Sequence, residues 1–178
     1  MCKPEKWVRG FTRESSTPWD NRWDLAANNL RDCGWTGPLG LPTGGLLALR
    51  YDLQTKTLVT TRHILEQGLL RWGVRGPRHD ILLVATELVT NAIRHALREV
   101  GEHAQLAVAP QTNSVLCAVT DPSTAPPILR YAPLRENSGY GLQIVDYVSH
   151  SWGYSNAEAS GKVVWARVPV EFNDGCRR

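Results

Sequence analysis

The chain has 178 residues, 42% of them hydrophobic, and a formal net charge of +3. That is enough apolar material for one packed domain with a tail. The small net charge, with no Lys/Arg run longer than a pair, argues against a nucleic-acid surface, and no apolar run approaches the ~18 residues of a membrane span.

Cys2, Cys33, Cys117 and Cys176 form no CxxC pair, and no His lies at ligand spacing from them. They read as free thiols in a reducing compartment. The N-terminus carries no apolar signal region, so the expected location is cytoplasmic.

Residues 1–44 stand apart as an N-terminal extension. They hold Pro4, Pro18, Pro38 and Pro42 with Ser/Thr/Asn/Asp clusters, and no helical or strand period persists. Trp7, Trp19, Trp23 and Trp35 give this stretch more aromatic content than a solvated tail usually has. The domain proper is expected at 45–171, with a tail at 172–178.

Within the domain, 46–53 reads as a strand and 57–72 as a helix, broken by Gly73, Gly76 and Pro77. The strongest helix runs from Arg78 to about Arg98, where Ile81, Leu82, Ala85, Leu88, Val89, Ala92 and Ala96 form a broad apolar face that ends before Gly101. Strands follow at 104–109 and 114–120, joined by a turn. Residues 121–138 carry Pro122, Pro126, Pro127 and Pro133 and read as a lid. A helix at 139–150 and strands at 151–155 and 162–170 close the domain. This order predicts an α+β fold, a two-layer sandwich with a mixed, mostly antiparallel sheet and helices on one face.

Glu87 and Asn91 are four residues apart in Glu87-Leu88-Val89-Thr90-Asn91, which separates them by only ~40° around a helix. Arg94 and Arg98 lie near the same stripe. An Asn carbonyl oxygen is a hard ligand suited to Mg²⁺, which takes few protein ligands. A Glu one turn away can accept a proton from a hydroxyl or water. The bland alternative is the wet face of an amphipathic helix.

Gly139 and Gly141 flank Tyr140, ahead of Leu142, at the start of a helix. There, glycine backbone and N–H groups suit a phosphate. Asp121 ends an apolar strand, where a carboxylate can accept from an adenine amino group or simply start an Asp-Pro turn. His63 reads as a surface histidine. No HExxH, GxSxG or Walker A sequence is present.

Taken in order, these pieces resemble the GHKL (histidine kinase-like) ATPase superfamily over about residues 46–170. Its anti-sigma-factor serine/threonine kinases and their stand-alone relatives are the nearest likeness. Glu87 to Ala96 resembles the N box, Asp121 falls at the adenine-binding Asp, and Gly139-Tyr140-Gly141-Leu142 resembles the second glycine box. Gly161-Lys162-Val163-Val164-Trp165-Ala166 resembles a closing strand. Pro122-Ser123-Thr124-Ala125-Pro126-Pro127 stands where the pattern has glycines, and Val163 or Val164 where it often has a Thr.

The resemblance implies a Bergerat fold that binds ATP and Mg²⁺. Asn91 would hold the metal, Glu87 would be the base, and Asp121 would read adenine. Gly139, Tyr140, Gly141 and Leu142 would line the phosphates, with Arg94 or Lys162 near them. It further implies transfer of the γ-phosphate to a Ser/Thr of a partner protein and control of a transcription factor by partner switching. The implied partners are a sigma factor or an anti-sigma antagonist, and a homodimer is compatible with this. The alternative is a non-catalytic module of the same fold that sequesters a protein partner, with weak or no ATP binding.

Overall fold

The computed structural model describes residues 46–54, 58–111, 113–129, 140–156 and 161–173, all within one unit, Gly37–Arg178. The expected N-terminal extension, the second half of the lid, Gly139 and the end of the tail lie outside the described residues.

Among the described residues ten elements follow one another: β1 (Leu47–Tyr51), α1 (Val59–Arg71), β2 (Val74–Arg75), α2 (Arg78–His95), β3 (Ala104–Pro110), β4 (Ser114–Asp121), α3 (Gly141–Val148), β5 (Ser151–Asn156), β6 (Lys162–Pro169) and β7 (Glu171–Phe172). The main sheet has the order β1-β3-β4-β6-β5, and each neighbouring pair is antiparallel. The fold is α+β, as the order of apolar patterns predicts.

Period-2 alternation explains the sheet's inner face. Leu106 and Val108 of β3, Val115, Cys117 and Val119 of β4, and Val164, Ala166 and Val168 of β6 join one apolar cluster with the helices. Ile81, Val84, Ala85, Leu88, Val89 and Ala92 supply the face of α2, and Leu65 and Leu69 that of α1. Each fully buried Leu or Val side chain stabilises the fold by about 1.5–3 kcal/mol. Cys117, on the central strand, is fully buried, and burial pushes its thiol up to about 12.

Local chemistry sets the helix limits. After α1, Trp72 N–H donates to the Gly68 carbonyl and Gly73 N–H to that of Leu70, with Gly73 at φ 66°, a glycine stop. In α2, Asp80 sits in the first turn and Arg94 and His95 in the last, each complementing the helix dipole. The sequence pattern carries α2 to about Arg98, but the structure ends it at His95. Leu97 N–H returns to the Ala92 carbonyl and its side chain is buried. Glu102 then accepts from the backbone N–H groups of Arg98 and Glu99, which removes Arg98 from the Glu87 stripe. The pairing of β2 with β7 is too short to leave a periodic signal.

Gly161 precedes β6 at φ +90°, and a Cβ there would run into the Asp121 carbonyl oxygen. Gly101 has φ +100° with open space around it. Gly161→Ala should cost about 1–3 kcal/mol or more and lower the melting temperature by about 2–10 °C. Gly101→Ala carries the backbone strain alone and should lower it less. Equal losses in calorimetry would show that the Asp121–Gly161 approach relaxes freely.

Candidate functional site

α2 packs its apolar face on the sheet and leaves Glu87 and Asn91, one turn apart, half-buried on another side. The start of α3 closes over them. A Cβ on Gly141 would stand 2.7 Å from Glu87 Oε2 and 3.0 and 3.1 Å from Asn91 Nδ2 and Oδ1. The backbone of α3 therefore rests directly on both side chains, and Glu87, Asn91 and Gly141 converge although 50 residues separate Asn91 from Gly141. Glycine is required here for closeness: Gly141 is not among the residues of positive φ. Val145 is fully buried and anchors α3, while Ile144 N–H donates to the Tyr140 carbonyl and fixes its first turn. Leu142 lies half-buried beside it.

Desolvation pushes the Glu87 carboxyl above its ordinary range, and the charge of exposed Arg94 only partly offsets this. Asn91 Nδ2 is buried and has no hydrogen-bond partner among the described residues. A buried amide donor is costly until it finds an acceptor. The donor set here, an amide and a carboxylate, offers the hard oxygens that Mg²⁺ prefers, and a metal–phosphate group carries the oxygens that Nδ2 lacks. The residues present fit a magnesium-bound phosphate. Among the described residues no three His, Cys, Asp or Glu side chains gather into a metal cluster.

A second polar centre lies where β4 ends and β6 begins. Asp121 and Lys162 are directly opposed cross-strand partners. Lys162 Nζ donates to Asp121 Oδ1 at 2.8 Å and to the Ser123 carbonyl at 3.2 Å. Asp121 Oδ1 also accepts the Ser123 N–H at 2.9 Å, so the Asp-Pro turn and the ion pair share one carboxylate. Burial pushes the Asp121 carboxyl up, opposed by the bond to Lys162, its charge and the Ser123 N–H. Sequence reasoning groups Lys162 with Arg94 near the phosphates; the structure seats it against Asp121. The pairing has no hairpin signal, because α3 and β5 intervene between the two strands.

The remaining candidates lie apart. His63 is exposed on α1. An open cleft near the start of α2 is lined by Arg62, Glu66, Arg78, His79 and Leu82 and contains none of the proposed site residues. Residues 122–129 of the expected lid carry no helix or strand; Ser123 Oγ accepts the Ala125 N–H within them.

A helix-backed antiparallel sheet, with an acid–amide pair on one helix covered by the glycine start of another, defines an ATPase-type α+β sandwich. Residues 52–168 match the histidine kinase-like ATPase domain, more than half of the chain, and the protein belongs to that family. Membership implies ATP binding. No curated protein matches the chain. Among the described residues, no helix is long and apolar enough to cross a membrane.

Two outcomes follow from this geometry. The folded-state pKa of Glu87 is raised, so its ionisation opposes folding. That stability is fully present below the unfolded carboxyl pKa of about 4.3 and is lost as pH rises through the folded value. Glu87→Gln, which mimics the protonated form, should therefore melt higher than wild type at pH 7–8 and equal to it near pH 4. A constant difference across that range would remove the desolvation argument. Gly141→Ala meets only the ends of two flexible side chains, so the fold should survive with a melting temperature within a few degrees of wild type. Displacing Glu87 and Asn91 should nevertheless weaken magnesium–ATP binding about tenfold or more by calorimetry, and unchanged affinity would detach Gly141 from the site.

Proposed function

We propose that this protein is an ATP-binding regulatory kinase of the anti-sigma serine/threonine type. It transfers the ATP γ-phosphate to a Ser or Thr of a partner protein and controls a transcription factor by partner switching. The observation that carries this reading is the contact of Gly141 with both Glu87 and Asn91, a base and a hard amide brought to a helix start that suits phosphate.

In this reading Asn91 holds magnesium, Gly139, Tyr140, Gly141 and Leu142 line the phosphates, and Arg94 adds positive charge at the rim. Bound magnesium supplies charge neutralisation on the phosphate oxygens. Glu87 takes the proton of the partner's hydroxyl as that oxygen bonds to the γ-phosphorus. The bond from the γ-phosphorus to its bridging oxygen breaks, and ADP leaves. Desolvation makes Glu87 a stronger base than an exposed carboxylate.

One observation favours the second reading, a non-catalytic module that sequesters a protein. The Asp121 carboxylate is already paired with Lys162, so that end of the site has a partner without nucleotide.

Labelled ATP, Mg²⁺ and candidate partner proteins separate the two. Wild type should place phosphate on a Ser or Thr, and Glu87→Gln should bind ATP normally while transfer falls about 10²–10⁴-fold. Saturating magnesium–ATP at a hundred times Kd should stabilise wild type by about 2.7 kcal/mol, and Asn91→Ala should lose the magnesium-dependent part. ATP binding without transfer to any partner moves the protein to the sequestering module. No binding at millimolar ATP removes both nucleotide roles.

A further inference from the structure

The Asp121–Lys162 pair has a hydrogen-bonding capacity that its own contacts leave unfilled. An ammonium carries three N–H donors. Lys162 Nζ uses two of them, on Asp121 Oδ1 and the Ser123 carbonyl. Asp121 Oδ1 receives two bonds, from Lys162 and from the Ser123 N–H, while Oδ2 accepts none from the described residues. The pair therefore offers one remaining donor beside one remaining acceptor, with little net charge. Both residues are only 7% exposed, so these two groups sit where water competes weakly.

The pair is also fixed in place. Asp121 and Lys162 are in register on adjacent strands. A Cβ on Gly161 would run into the Asp121 carbonyl oxygen and stand 3.0 Å from Pro122 Cα, so the two strand ends pack closely. The Ser123 N–H donates to the same carboxylate oxygen as Lys162 and holds it in the turn. An ion pair withdrawn this far from water is a weak source of net stability, which leaves its directional hydrogen bonds as the feature with a use.

A donor beside an acceptor is the complement of an amidine edge. The adenine ring presents one, with an amino N–H at position 6 and a ring nitrogen acceptor at N1. Hypoxanthine and guanine present the reverse order there, a carbonyl at position 6 and an N–H at N1. We propose that Lys162 is a base-reading residue: its free N–H donates to adenine N1 while Asp121 Oδ2 accepts from the 6-amino group. This rests on the ATP-site reading above and assigns Lys162 to the base rather than to the phosphates. The carboxylate alone could accept from either kind of purine, and the neighbouring ammonium makes the site ask for an acceptor at N1.

The test compares ATP with 1-deaza-ATP, which keeps the 6-amino group and lacks the N1 acceptor. A hydrogen bond from a charged donor should make wild type favour ATP by about 10- to 100-fold, measured by calorimetry with Mg²⁺ present. Lys162→Met should bring that ratio close to one and narrow the preference for ATP over ITP. A wild-type ratio near one, with ATP still bound, overturns the role of Lys162 and leaves the ATP site standing. That result needs no variant, so it decides the matter even where Lys162→Met, with Asp121 left unpaired, does not fold. A ratio equally large in a folded Lys162→Met protein also overturns it. Failure of wild type to bind either nucleotide removes the ATP-site reading, and this assignment with it.

Discussion

Everything at the candidate site depends on how α2 lies on the sheet. Its residues from Ile81 to Ala92 are locked among β3, β4 and β6 in one cluster, so the helix has a single rotational setting. With that rotation fixed, Glu87 and Asn91 face the start of α3. Val145 seats α3 in the same core, which sets how closely Gly141 can approach. Close-packed interiors transmit such constraints because few voids absorb a shift. The geometry of a polar site is thus inherited from apolar contacts on the far side of the helix.

Two carboxyl groups among the described residues are pushed up by loss of water, and their surroundings differ. Glu87 is only half-buried and has the charge of an exposed arginine nearby. Asp121 has a buried lysine at bonding distance and accepts one further bond from the Ser123 N–H, while the same lysine also donates to the Ser123 carbonyl. One environment suits proton transfer and the other a fixed hydrogen-bond pattern. The same desolvation acts on both, and the placement of the neighbouring cation separates them.

Much of this arrangement was readable before any coordinates. The apolar face of α2 and the four-residue spacing of Glu87 and Asn91 depend on local helical periodicity, which a sequence displays directly. The apolar runs of β3 and β4 likewise marked them as strands, while the choice of inner face came only with their pairing. Other features depend on tertiary placement. Arg98 continues the helical stripe in sequence, yet Leu97 and the Glu102 side chain turn the chain away before it. Asp121 and Lys162 meet only through the register of two strands separated by a helix and another strand. Gly141 carries a phosphate-loop signature, while the structure adds a steric reason for glycine that no local pattern encodes. Two-residue strands such as β2 and β7 are shorter than either period.

Cys117 has a consequence for watching this protein open. Its thiol sits on the central strand with neighbours on both sides, fully buried and shifted to about 12. Only a thiolate reacts readily with alkylating reagents, so modification must wait until β4 leaves the sheet. Peptide mapping that isolates Cys117 turns that residue into a clock for whole-domain unfolding, distinct from breathing at the loop edges. A ligand that tightens only the surface of the site would leave that clock nearly unchanged, whereas one coupled to the sheet would slow it.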